Sequence, residues 1–157
     1  MVDDGVTEIP VPVNTAKEHQ SESFRVDWHA CTPDGGSVPV LSTYHDPEDG
    51  WYLELPKEWA NQTVITKVKA ARDTTLVSFA EPRQSGENRE FLRIYVLSGE
   101  NREMLAARGD RFLLGRRAQL IYAAELLPSA NGGDLLSADA LRDCFHLIAG
   151  SWTSGAV

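Results

Sequence analysis

Cysteine is scarce: the 157-residue chain has two, Cys31 and Cys144. Their separation fits neither a CxxC redox pair nor a zinc-ligand spacing, so they read as two separate thiols. Spacing alone does not bring their Cα atoms into disulfide range. Long apolar runs are missing as well. No stretch approaches the roughly 18 apolar residues of a membrane-spanning helix. The opening MVDDGVTEIPVPVNTAKEHQ shows no basic n-region and no apolar h-region. Two readings follow: a cytoplasmic chain starting naturally at Met1, or an exported one whose signal is encoded upstream.

Basic residues are few in the first third. Residues 1–58 carry 12 acidic and 3 basic side chains, whereas residues 59–157 carry 11 and 12. Negative charge repels phosphate, which disfavours nucleic acid as a partner. Anionic membrane surfaces are disfavoured for the same reason.

Catalytic signatures are missing too. GxSxG, the hydrolase elbow, does not occur. GxGxxG, GxxxxGK[ST] and HExxH do not occur either, so neither a phosphate-cradling loop nor a paired-histidine zinc helix is indicated. The four histidines are His19, His29, His45 and His146. His146 reads as a packed or surface residue of a helix, and His45 opens the turn HDPEDG. Asp46, Glu48 and Asp49 have the oxygen donors that calcium prefers. The Asp-Pro and Asp-Gly spellings are nevertheless those of an ordinary turn. Paired carboxylates such as Glu54 and Glu58 read as a solvated face. Asn61-Gln62-Thr63 matches the glycosylation sequon, which has meaning only in a eukaryotic secretory pathway. No catalytic, cofactor-binding or metal-binding residue is assigned. The one local positive concentration is Arg108, Arg111, Arg116 and Arg117, which would receive an acidic partner or a phosphate. The simpler reading is a solvated hairpin tip.

What is present is strand patterning. Hydrophobic residues make up 42% of the chain and charged residues 24%, the balance of a globular protein. Its length suffices for one domain burying about 68–70% of its unfolded surface. Residues 1–20, with Pro10, Pro12 and many charges, read as a flexible leader. Residues 21–157 read as a single domain. ESFRVDWHA alternates with period two, TPDGG is a turn, and VPVLSTY returns, giving a hairpin. WYLELP places Trp51, Leu53 and Leu55 on one side. TVITKVKA (63–70), TTLVSFA (74–80) and FLRIYVL (91–97) follow as strands, with Leu92, Ile94 and Val96 on an apolar face. Residues 99–109 contain good helix formers, with Ser98 at the N-cap and Gly109 at the C-cap. RFLLGRRAQLIYAAEL reads as a hairpin turning at Gly115-Arg116. Ser137 caps a last helix whose Leu141, Phe145 and Ile148 form an apolar stripe ending at Gly150.

The hexamer SGENRE occurs twice, at 85–90 and 98–103. The first copy feeds a strand and the second starts a helix. A tandem unit would repeat its apolar pattern as well. The shared letters are turn and cap residues used in two different settings.

DGWYLELPKEW resembles the Y-x-hydrophobic-x-(F/L)-P-x-x-W start of PsbP-like and Mog-like domains, found in many small bacterial lipoproteins. The order of three strands, helix, hairpin and closing helix agrees, over residues 40–153. The resemblance implies an α+β fold, an antiparallel sheet flanked by helices in an α/β/α sandwich. In it Leu55-Pro56 and Trp59 turn a corner. It also implies a non-enzymatic accessory role, so no functional residues are carried over. The expectation is therefore a binding domain, exported and lipid-anchored at the cell surface, meeting membrane only through an anchor outside this chain. Its partner would be an unidentified protein or small ligand. A cytoplasmic protein–protein adaptor docking through the acidic third is the alternative, and a small hydrolase with an unrecognised site is a third.

Overall fold

The computed structural model of the chain describes residues 8–13, 24–55, 63–84, 86–127 and 137–148. These residues form two five-stranded sheets and two short helices. In the first sheet, β1 (Glu8–Val13), β2 (Phe24–Cys31), β3 (Ser37–Asp46), β4 (Trp51–Leu55) and β10 (Phe145–Leu147) lie side by side in that order. The second sheet comprises β5 (Val64–Ala71), β6 (Thr74–Glu81), β7 (Arg89–Leu97), β8 (Phe112–Arg117) and β9 (Leu120–Leu126), in the order β5-β6-β7-β9-β8. The helices are α1 (Arg102–Ala106) and α2 (Ala138–Cys144).

This corrects the α/β/α expectation. The protein is mostly β, with two antiparallel sheets rather than one sheet flanked by helices. The reason lies in helix length. At about 1.5 Å per residue the five residues of α1 are too short to cover a five-stranded sheet whose strands lie about 4.8 Å apart. No described helix is long and apolar enough to cross a membrane.

The chain divides into two compact units, one within Met1–Asn61 and His146–Val157, the other Gln62–Phe145. The first is thus discontinuous in sequence, with the second inserted before its last strand.

In the first unit the β2–β3 hairpin and the strand β4 form as their alternation indicates. Glu8–Val13, within the segment read as leader, pairs antiparallel with β2 from Glu8↔Ala30 to Val13↔Arg25. Trp51, Leu53 and Leu55 are buried, and Tyr44 meets Trp51 with ring centroids 5.3 Å apart. Large rings in such contact supply much of a small unit's burial. HDPEDG closes on itself. The amide of Gly50 donates to the Asp46 carbonyl at 2.8 Å, and the Asp49 amide donates to Asp46 Oδ1 at 3.2 Å. Asp46 is fully buried, so its carboxylate serves the turn's own backbone.

In the second unit, β7 lies between β6 and β9 and is buried on both faces. Leu92, Ile94 and Val96 fill one side; Phe91, Tyr95 and Leu97 fill the other. Leu105 and Ala106 of α1 pack on Tyr95, Leu97, Ile121 and Ala123.

Three local expectations are corrected. Asn101, not Ser98, holds the N-cap of α1, and its side chain makes no cap bond. Gly99 at φ +81° turns the chain off β7 first, while the Ser98 amide donates to the Asp73 carbonyl. The β8–β9 turn falls at Ala118-Gln119 instead of Gly115-Arg116, since Arg117 pairs with Leu120 and Gly115 sits at a bulge. The last helix is capped by Ser137, whose Oγ accepts from the Ala140 amide at 3.1 Å, but it stops at Cys144. Phe145 is extended (φ −89°, ψ 130°) and starts β10, because the Ile148 amide finds the Gly50 carbonyl at 2.8 Å. The corner at Pro56 and Trp59, the residues Asn61 and Gln62 of the sequon, Ser85 of the first SGENRE copy, His19 and Gly150 lie outside the described residues.

Ala118 is the one described non-glycine residue with positive φ, at +44°. An L side chain there costs on the order of 1–2 kcal/mol, against which glycine adds about 0.4–1 kcal/mol of unfolded-state entropy. Ala118→Gly is expected to raise unfolding free energy by about 0.5 kcal/mol in urea titrations. Gly99→Ala is expected to lower it, because its Cβ would stand 2.8 Å from Asp73 Oδ2.

Candidate functional site

Two of the four arginines singled out in the sequence, Arg111 and Arg116, bind α1 of their own unit through their side chains. Both terminal nitrogens of Arg116 engage the Glu103 carboxylate, Nη2 at 3.0 Å from Oε2, tying β8 to α1. Arg111 donates from Nη1 to the Leu105 carbonyl at 2.8 Å, and its guanidinium lies 3.7 Å from the Tyr95 ring centre. It thus closes the carboxyl end of α1, where carbonyls favour a cation. Arg117 stands at the end of the hairpin, opposite Leu120. The backbone amide of Arg108 bonds the Leu105 carbonyl. Two of the four guanidiniums are spent fastening α1 to its own unit. A second internal network joins Arg93 to Glu90 at 2.5 Å and to Glu125 at 3.4 Å. The Arg93 contact holds the Glu90 carboxyl below the ordinary range.

A different group of residues is brought together on the first sheet. Antiparallel partners share a face, so the register places His45 beside Tyr52 and Thr43 beside Glu54. Trp28 enters from β2, next to a bulge between Trp28 and His29. His146 enters from β10. The His45 and Tyr52 rings are stacked at 5.1 Å and 13°, and the Tyr52 and His146 rings at 4.9 Å and 22°. Trp28 meets His45 at 6.3 Å with a 48° tilt. Ring spacing near 5 Å matches the distance between neighbouring strands, so three rings stand upright on three successive strands. Their flat faces cover one another, His45 Nε2 lies against the buried Thr43 hydroxyl, and His146 Nε2 is buried beside Glu54.

Hydrogen bonds order this row. Trp28 Nε1 donates to Thr43 Oγ1 at 2.9 Å, and Thr43 Oγ1 lies 2.8 Å from His45 Nε2. The indole can only donate. The Thr43 hydroxyl accepts from it and shares a second hydrogen bond with His45 Nε2, whose direction follows the His45 tautomer. Burial holds the His45 imidazole below its ordinary titration range and so keeps it neutral. Burial, together with the charge of Glu54, raises the Tyr52 phenol. His146 Nε2 lies 3.2 Å from Glu54 Oε1 and makes no aligned hydrogen bond among the described residues. The opposite face carries the Ser42 hydroxyl donating to Asp27 Oδ1 at 2.7 Å.

Chemically, the row offers a neutral imidazole at His45, a phenol at Tyr52, and a carboxylate at Glu54 beside a second imidazole. Among the described residues, no group of three His, Cys, Asp or Glu side chains is placed to hold a metal ion. Cys31 ends β2 and Cys144 ends α2, and they are not bridged to each other. Part of the row is legible in sequence, because WYLEL puts Tyr52 and Glu54 opposite Trp51, Leu53 and Leu55. His146 is not, since its segment carries a helical stripe. No family model, curated protein or solved structure matches this chain.

Because His45 is neutral in the fold and binds a proton more readily when unfolded, its contribution to stability is complete above the ordinary value of 6.5 and falls away below it. His45→Gln is expected to flatten the fall in unfolding free energy below that pH, as read from urea titrations across the acid range. Arg116→Ala is expected to leave the urea midpoint nearly unchanged, since its pair with Glu103 is exposed.

Proposed function

We propose that the chain is a non-enzymatic binding domain and that the ring-bearing face of its first sheet is the binding surface. One observation carries this reading: three half-buried rings from three separate strands stack in register on one face of the sheet. Half-buried aromatic side chains are the residues that anchor interfaces, because they bring contact area and few rotatable bonds. Neutral His45 and Tyr52 offer hydrogen bonds without the desolvation cost of a charge. The alternation of β4 supports the division of labour. Trp51, Leu53 and Leu55 supply the core, which leaves Tyr52 and Glu54 on the other face.

The test is ligand-induced shift of aromatic-ring resonances. Peptide and fragment libraries are added to the labelled chain, and the expected result is perturbation centred on His45, Tyr52 and His146. Tyr52→Ala is expected to weaken any such ligand by about tenfold or more, in line with loss of an aromatic anchor. It should leave the fold intact, since a stacked pair contributes only about 0.5–1.5 kcal/mol beyond burial. Ligands that perturb other residues and bind Tyr52→Ala unchanged would remove the assignment.

A further inference from the structure

In the second unit, Glu90 and Glu125 meet Arg93, Glu103 meets Arg116, and Asp139 meets Arg142. A guanidinium keeps its charge at every physiological pH. In the first unit, residues 24–55 contain six carboxylates and a single basic side chain, Arg25. Among the described residues no Lys or Arg pairs with Glu54. Its partner is the imidazole of His146, at 3.2 Å. A carboxylate on a half-exposed aromatic face, in an acidic unit, faces a cation that comes and goes with the proton.

We infer that Glu54, with the Tyr52 edge beside it, takes a lysine or arginine side chain from a basic segment of a partner protein, and that protonation of His146 displaces it. This rests on the binding surface proposed above. Neutral His146 leaves the negative charge of Glu54 for an external guanidinium or ammonium, which would form a charge-assisted hydrogen bond. Protonated His146 is a cation already in place, and it neutralises the same carboxylate intramolecularly. It also stands over the face of Tyr52, at 4.9 Å, where a cation is stabilised by the ring. The groups facing His146 across β4 are Tyr52 and Glu54, and His45 lies on the far side of Tyr52 on β3. Asp27 and Asp46 belong to the opposite face by strand alternation. The surrounding carboxylates accelerate encounter with a basic partner and make the association salt-dependent.

The experiment uses the full chain and a dye-labelled peptide of alternating glycine and arginine, with a glycine–glutamine peptide as control. Affinity is read by anisotropy at constant salt, and the site is read by the Tyr52 ring resonance. Binding of the arginine peptide is expected at about pH 7.5 and is expected to weaken about tenfold by about pH 5.5, the range over which histidines charge. Glu54→Gln is expected to lose about tenfold in affinity at the higher pH, the scale of one exposed charge-assisted contact. His146→Gln is expected to lose the pH dependence, the ratio of its affinities at the two pH values falling to about one. Near-ultraviolet circular dichroism checks that each variant is folded. Undiminished binding by Glu54→Gln, or retained pH dependence in His146→Gln, overturns the inference. If the glutamine peptide binds as tightly and moves Tyr52, the cation site fails while the binding surface survives. If the arginine peptide leaves Tyr52 unmoved, both fail.

Discussion

The register of β3 on β4 is the constraint on which the first unit depends. It is set at the Asp46–Gly50 turn. The left-handed φ of Gly50, at +76°, lets the chain reverse, and the Asp46 carboxylate holds the turn through the Asp49 amide. Gly50 then serves twice: its amide closes the turn on Asp46, and its carbonyl receives the Ile148 amide that aligns the end of β10. A slip by one residue would exchange the two faces of the strand. Trp51, Leu53 and Leu55 would be driven into water, and Tyr52 and Glu54 into the core. Burial of one Trp and two Leu side chains is worth several kcal/mol, so the alternative register is strongly disfavoured. The same energy that builds the core holds His45 against Tyr52.

A ring row built this way differs from a flat aromatic platform. Faces are used up in stacking, which leaves each ring half-buried. The hydrogen-bond chain from Trp28 through Thr43 to His45 fixes ring orientation, since buried polar groups must be satisfied. Charge is then concentrated at one end, in Glu54 and His146. In the second unit Arg93, Arg111, Arg116 and Arg142 use charge structurally, fastening the helices, the hairpin and the sheet. Arginine suits that task because it is planar and never loses its proton. Histidine suits a contact that has to change.

The PsbP-like resemblance drew on a short corner motif and on an order of elements, and neither constrains how many residues each helix has. Once α1 and α2 are short, the helical layers it implies are absent. Helix formers such as Glu103, Met104 and Leu105 do form helix, but propensity extends no helix past a glycine turn such as Gly109 at φ +62°. The Leu141–Phe145–Ile148 stripe failed for a related reason. Spacings of three and four residues mark a helical face only while the backbone stays helical, and at Phe145 an open strand edge on β4 competes for the backbone.

From residue order alone came the period-two strands, the β2–β3 hairpin, the buried set Trp51, Leu53 and Leu55, the HDPEDG turn and the Ser137 cap. Each depends on neighbours within a few positions, where side-chain alternation and backbone chemistry act directly. The placement of Gly115 in a bulge and not a turn, the end of α2 at Cys144, and the meeting of His146 with Tyr52 and Glu54 came only from tertiary structure. The last two join residues about a hundred positions apart, and no local propensity encodes which strand edge a distant segment will find. That choice is made by unsatisfied backbone groups and by the rings available to stack beside them.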